Sequence, residues 1–455
     1  MTFPLRRLCL CILCLATTVP ALAGDDAAGV EERLRDLEER VRAQDEEIRR
    51  LREEMARQSE ALPAIEQELD RLLGKVEDES FWQQPGTMRA YFKDGLWFET
   101  ADKAFQIRIG GRLNLDAAGY RADSKLEEET GAFESETGFR RARLIVSGRL
   151  FTRTIFKAEY DFAGSDVKFR DVWMGHTDVP ILQTVRVGHQ KEPFSQEQLM
   201  SGSATFFLER SLADAFAPKR NTGVLAESKA FEDRLVWSYG LFTDTDDAGE
   251  GPIGRGITAR VAGVPWLDRE LRAFALVGLS GSHRRPREHE FRFSSRPESN
   301  FAPNVADTET FEADRANFGG LDGAVVLGPL TLAAEYVLCA LDGASGGDPR
   351  FSGGYVYAGW TLTGESRPWA KGLLDKVKPE RNFPDDGPGA VEIGVRWSWI
   401  DLSDGAIRGG DMDDFTLGVN WWLNPLTRVM LNWVHSRLRH FGEADSLAIR
   451  FQIPF

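Results

Sequence analysis

Along most of this chain, apolar and polar residues alternate one for one. In Phe139–Phe162 the residues Arg141, Arg143, Ser147 and Arg149 fall on one face, and Ala142, Leu144, Val146, Gly148 and Leu150 fall on the other. Strand side chains alternate with period two, so this pattern predicts a strand. After the short connection at 151–154, Lys157, Glu159 and Asp161 oppose Phe156, Ala158, Tyr160 and Phe162. A soluble sandwich would explain one such hairpin by turning the greasy face inward. Repetition to the last residue argues for the opposite facing. Phe105, Ile107, Ile109, Leu113 and Leu115 share a face, as do Leu447, Ile449, Phe451, Ile453 and Phe455, where the chain ends on an aromatic. Trp or Phe closes the greasy face of Val391–Trp399, Phe415–Trp421 and Val429–Trp433, as an interfacial aromatic girdle requires.

About 16 segments of this kind are legible, an even number as bacterial barrels use. They start near residues 105, 139, 154, 169, 184, 222, 234, 255, 271, 316, 330, 351, 390, 412, 428 and 444. Short turns are expected near Phe151, Val179, Phe231, Pro265, Pro329 and Pro425, on the side that holds both ends of the barrel. Long outer loops are expected after Tyr120, His189, Thr243, His283 and Leu341. The connection 363–389 is on the turn side yet far longer than a turn, which points to insertion in the lumen.

A different period governs the N-terminal part. From Val30 to Val76 apolar residues recur at spacings of four and three, with Gln44 and Gln58 at two seam positions, which predicts a coiled coil of more than six heptads. Its length would be on the order of 70 Å, with an interruption at Pro63. Before it, Arg6 and Arg7, the apolar run Leu8–Ala16 and Ala21-Leu22-Ala23 read as a cleavable secretory signal. The expected domains are a signal peptide at 1–23, a coiled-coil segment at 24–80, a linker at 81–103 and an outer-membrane β-barrel at 104–455. The fold class is thus an all-β transmembrane barrel preceded by an α-helical coiled coil.

Composition sharpens the reading. Past the signal no window reaches the roughly 20 apolar residues of a spanning helix, so any crossing is by strands. Three of the 4 cysteines lie in the signal, leaving Cys339 and no internal disulfide. The net charge of -15 argues against nucleic acid. Yet where facing is clear, the non-greasy faces carry Arg108, Arg112, Arg141, Arg143, Arg149, Lys157, Arg186, Arg260, Arg396, Arg428 and Arg450 against only Asp116, Glu159, Asp161, Glu335 and Glu392. A lumen lined in this way concentrates anions. Gly188–Gly223 is too long for a tight turn and mixes Lys191, Arg210, Lys219 and Arg220 with buried-type residues such as Phe194, Phe206, Phe207 and Phe216, which predicts a constriction loop.

Enzyme signals fail. Gly343-Ala344-Ser345-Gly346-Gly347 matches a nucleophile elbow only formally, with no helix after it. There is no P-loop or dinucleotide fingerprint, and the 6 histidines lack zinc-ligand spacing. No catalytic residue, metal or cofactor is expected.

The segments FRRARLIVSGRL at 139–150, KAEYDFA at 157–163, VGHQKEPFS at 187–195, FLERSLADAFAPKRNTGV at 207–224 and LTGESRPW at 362–369 together resemble the phosphate-selective porin O/P family, a similarity that runs from about residue 104 to 455. The resemblance implies a 16-stranded trimeric barrel with loops folded into the pore and inward Arg and Lys guiding anions. The expected function is an outer-membrane porin for passive diffusion of small anions, of the phosphate or polyphosphate class. The expected anion path is Arg108, Arg112, Arg141, Arg143, Lys157, Lys191, Arg210, Lys219 and Arg220. The expected partners are these anions, outer-membrane lipid and two further copies in a homotrimer, with the coiled coil in the periplasm and within reach of the cell wall. The rival class is a structural outer-membrane tether, or a barrel enzyme, with a plugged lumen.

Overall fold

The computed structural model describes the helical residues 35–54 except 37, the single positions 63, 67 and 70, and residues 87–245, 254–344 and 347–455. It divides into two units, Met1–Trp82 and Gln83–Phe455. In the first, the heptad stretch is helical wherever it is described, and the seam residues Val41, Ile48 and Leu51 are exposed in the single chain. The expected signal at 1–23 lies outside the described residues, as does most of the heptad stretch beyond Glu54.

The second unit is built on one antiparallel sheet of 18 strands. Two strands, Met88–Phe92 and Leu96–Thr100, form a hairpin. The other 16 follow in chain order: Gln106–Ala122, Glu136–Leu150, Thr154–Asp161, Lys168–Val179, Gln183–Lys191, Arg220–Ala230, Leu235–Thr243, Arg255–Asp268, Ala273–Arg285, Arg315–Leu327, Leu330–Asp342, Arg350–Thr361, Ala390–Asp404, Ile407–Trp422, Arg428–Leu438 and Gly442–Pro454. Each pairs with its sequence neighbour, and the last closes on the first from Ala444 opposite Ala122 to Pro454 opposite Arg112. Closure leaves none of these 16 strands at a sheet edge, the condition for crossing lipid with strands.

The dyad pattern translates directly into facing. Leu113, Leu115, Leu144, Ile257, Leu279, Leu321, Ile393, Leu417, Leu431 and Ile453 are exposed on the outside, with Trp360, Trp397, Phe415, Phe451 and Phe455 among them. Their neighbours Asn114, Asp116, Thr258, Arg260, Glu335, Arg396, Thr416, Asn420, Arg428 and Arg450 are buried inside. Apolar outside and polar inside is the arrangement of a barrel solvated by lipid.

Three stretches depart from the sequence reading. The expected linker 81–103 contains the hairpin 88–100, whose Leu96–Glu99 pair with Gln106–Ile109 beyond the point where the C-terminal strand ends. Its inward carboxylate Glu99 is held by Arg89 at 2.6 Å, Tyr91 and Gln106, a set of partners with no periodic signature. The turn expected at Pro265 lies at 269–272, because a bulge between Gly263 and Trp266 lets the strand absorb the proline. The strand expected from 412 begins at Ile407, where the sequence Ile407-Arg408-Gly409-Gly410-Asp411 does not alternate but its backbone still pairs.

Candidate functional site

Three segments enter the barrel and fill one side of it. The first is 192–219, the expected constriction loop. Wall glycines make room for it: a Cβ on Gly394 or Gly359 would stand 2.4 or 2.5 Å from the Phe206 ring, and one on Gly418 3.0 Å from Phe207. Side chains of the wall, and Arg367 of the long turn-side connection, then hold its successive carbonyls. Arg367 donates to Ala204 O at 2.8 Å, Arg428 to Thr205 O at 2.8 Å, Asn420 to Phe206 O at 2.9 Å, Arg450 to Leu208 O at 2.5 Å and Arg396 to Glu209 O at 3.0 Å. The Arg396 guanidinium also lies over the Phe207 ring, 4.4 Å from its centre.

The second segment is 286–314, expected as an outer loop. Its Glu298 is buried, accepts from Arg396 Nε at 3.0 Å, Ser398 at 2.5 Å and Thr416 at 2.6 Å, and donates its backbone N–H to Asp414 at 2.9 Å. Phe293 from this loop and Phe216 from the first join Phe318, Phe351, Ile400 and Met412 of the wall in a hydrophobic core inside the barrel. The third is the long turn-side connection, whose Arg367 is fully buried and pairs with Glu392 at 3.0 Å.

On the other side a cavity of about 510 Å³ remains. Its wall carries Arg108, Arg112, Arg141, Arg143, Lys157, Arg186, Lys191, Arg210, Arg220, Arg260, Lys371 and Lys376, against Asp94, Glu159, Asp171 and Glu227. Eight of the nine residues expected on an anion path are in this set. The ninth, Lys219, is exposed and absent from the cavity wall.

The eight are not equivalent. Arg143 is bound by Glu159 and Asp161, each at 2.7 Å. Lys157 lies 2.6 Å from Glu159 and 2.5 Å from Asp171, which also takes Arg220 at 2.8 Å. Lys191 donates to the carbonyls of Gln198 at 2.5 Å, Leu199 at 3.1 Å and Met200 at 3.0 Å, and Arg210 donates to Glu197 O at 2.9 Å and Gln198 O at 3.3 Å. These two cations tie down the end of the short helix Gln196–Leu199. Arg108 donates to Asp94 O at 2.8 Å, in the tip of the N-terminal hairpin.

Arg112 and Arg141 differ from the rest. Both are more than nine-tenths buried, at 8% and 7% exposure, and neither has an ion-pair partner among the described residues. Arg112 donates from Nη2 to Ser201 Oγ at 2.8 Å, and its Nε–H has no acceptor. The Asn114 amide, turned so that both its atoms are satisfied, accepts from Arg141 Nη1 at 3.1 Å.

Arg140 was missed by strict alternation, which points it at lipid. Asn114 opposes Arg141 and Leu115 opposes Phe139, so Arg140 is the extra residue of a bulge. It pairs with Glu209 through two 3.0 Å bonds, and Glu209 takes Arg450 at 2.6 Å from the other side. Two consecutive arginines in a strand whose other face is lipid were the available signal, since a regular strand cannot turn both inward.

A closed strand barrel with a lipid-facing exterior and a polar, partly filled lumen defines the class of outer-membrane porins, which are channels. The chain belongs to the phosphate-selective porin O and P family, whose model matches residues 107–455. It is 25% identical over 413 residues to Porin O of Pseudomonas aeruginosa, covering 80% of this chain and 91% of that one. It is 26% identical over 354 residues to an uncharacterized protein of Caulobacter vibrioides, covering 75% and 70%. A solved structure of OmpT from Vibrio cholerae lacking loop L8 is similar with a TM-score of 0.49 at 13% identity, covering 77% of this chain and 100% of that one.

Proposed function

We propose that this porin passes small anions of the phosphate class by passive diffusion, along the cavity that Arg112 and Arg141 face. The observation that carries this reading is the excess of base over acid on one continuous wall, with those two guanidiniums left without carboxylates. A positive potential between low-dielectric walls raises the local anion concentration, and the planar guanidinium fork matches the oxygens of a phosphate. Arg143, Lys157 and Arg220 contribute less, because Glu159, Asp161 and Asp171 compensate them. Lys191 and Arg210 act by fixing the loop. Lys219, away from the cavity wall, has no part in the path.

Reversal potentials in planar bilayers under a salt gradient test the function. Anion selectivity is expected, together with inhibition of chloride current by phosphate. An Arg112→Gln, Arg141→Gln double variant should lose most of that selectivity while keeping heat-resistant barrel migration. A cation-selective wild type refutes the reading, and a barrel that conducts nothing supports a structural tether instead.

The assembly belongs to the same proposal. An even number of strands returns the C-terminus to the end where the barrel begins, and we assign the heptad helix to the periplasm. Its exposed Val41, Ile48 and Leu51 are the surface three copies would bury, stapling a homotrimer and reaching toward the cell wall. Crosslinking should trap trimers of the full chain and fewer after deletion of residues 24–80. A monomer in mild detergent refutes the trimer.

A further inference from the structure

Ser201-Gly202-Ser203 of the constriction loop lies directly over the unpaired arginines. Its Ser201 hydroxyl takes Arg112 Nη2 at 2.8 Å and meets Ser203 Oγ at 2.9 Å, which aims the rest of the Arg112 fork at residue 202. A Cβ at Gly202 would be 2.9 Å from Arg112 Nη1, 3.3 Å from Arg141 Cζ and 3.4 Å from Arg141 Nη1. The absence of a side chain thus lets both guanidiniums lie against residue 202, and all three residues line the cavity. Backbone conformation does not demand glycine there, since Gly202 is not among the residues with positive φ.

We propose that Gly202 determines specificity: it keeps clear the place where a compact oxyanion spans Arg112 and Arg141. This rests on the anion path proposed above. Oxygen must approach a guanidinium N–H to about 2.7–2.9 Å for a charge-assisted hydrogen bond, and a methyl group on residue 202 takes that position. Chloride, a sphere needing one contact, depends on the opening far less than a tetrahedral oxyanion that uses both forks.

The test measures block of chloride current by inorganic phosphate in bilayers containing the full-length porin. Gly202→Ala should raise the half-blocking phosphate concentration about tenfold, the loss of one charged hydrogen bond, with chloride conductance kept within about twofold. Gly202→Asp should abolish block by pairing with both arginines, and heat-resistant migration checks that each variant is folded. Gly319→Ala, whose added Cβ meets nothing within 4 Å, should match the wild type. If Gly202→Ala and Gly202→Asp keep wild-type block while the Arg112→Gln, Arg141→Gln variant loses it, the role of Gly202 is overturned and the anion path survives. If the double arginine variant also keeps wild-type block, the path itself is wrong and Gly202 falls with it.

Discussion

On the wall from Arg350–Thr361 round to Gly442–Pro454, the inward arginines are engaged by protein. Arg396 meets Glu197 and Glu298, Arg450 meets Asp116 and Glu209, and Arg428 meets the Thr205 carbonyl. On the two strands that follow, Gln106–Ala122 and Glu136–Leu150, Arg112 and Arg141 also point inward and meet no carboxylate. The filled side gathers acid, with Glu197, Glu298 and Asp414 around Arg396, while Arg260 on the cavity wall is matched by Asp322. The open side gathers base. Whether an inward arginine is matched by carboxylate or left without one thus depends on what the inserted loops bring to it, and a charge that is matched and buried contributes little field to its surroundings.

The sharpest way to break this contrast is to delete one arginine from each side. Arg396→Met leaves Glu197 and Glu298 buried without their cation and should cost about 3–5 kcal/mol in urea unfolding of the detergent-solubilised barrel. Arg141→Gln should cost far less and act on selectivity. Equal stability losses for the two would erase the distinction between the sides.

Adjacent residues on the open side test the facing. Leu144 is exposed to lipid and Ile145 lines the cavity. Leu144→Arg should destabilise by about 2–4 kcal/mol if it lies near the bilayer midplane, whereas Ile145→Arg should fold and add to anion selectivity. The reverse order would put the strand out of register by one residue.

A subtler test separates compensated from uncompensated charge. Asp171→Asn removes a carboxylate that Lys157 and Arg220 share, so anion-over-cation permeability should rise modestly, by about twofold, the effect of roughly 0.4 kcal/mol. No change in reversal potential would mean that these two cations lie off the path.

The smallest effect concerns the loop that carries Glu298 to the filled side. Near its base Arg292 bonds Asp307 at 2.6 and 2.9 Å and holds that carboxyl below the usual carboxylate range. The contribution is present above the unfolded-state pKa and is lost as pH falls through the lowered one. An exposed pair of this kind contributes at most about 1 kcal/mol. Proteolysis of the 286–314 loop should speed up slightly in acid, and Asp307→Asn should remove that pH dependence while leaving the neutral rate slightly raised.

Much of the barrel was legible because its signal is local. Alternation at Arg141, Arg143 and Leu144, or at Phe451, Gln452 and Ile453, states facing within a few residues, and lipid outside enforces it all round the sheet. The same logic failed at Arg140, where one extra residue reverses parity, and at 88–100, where a hairpin extends the sheet without a long apolar face. The constriction loop was legible as a conflict, phenylalanines in a segment too long for a turn. The entry of Glu298 was not, since one glutamate in an outer loop resembles any other.

By itself, then, the sequence determined the number of barrel strands and the outward face of most of them, because both follow from a period of two read along short segments. Only the tertiary structure decided which inward cations stay unpaired. Arg396 meets Glu298 across 98 residues of chain and Arg450 meets Glu209 across 241, and no local pattern encodes such partners. The free charge of Arg112 and Arg141 is what remains once closure of the barrel and insertion of its loops have matched the others.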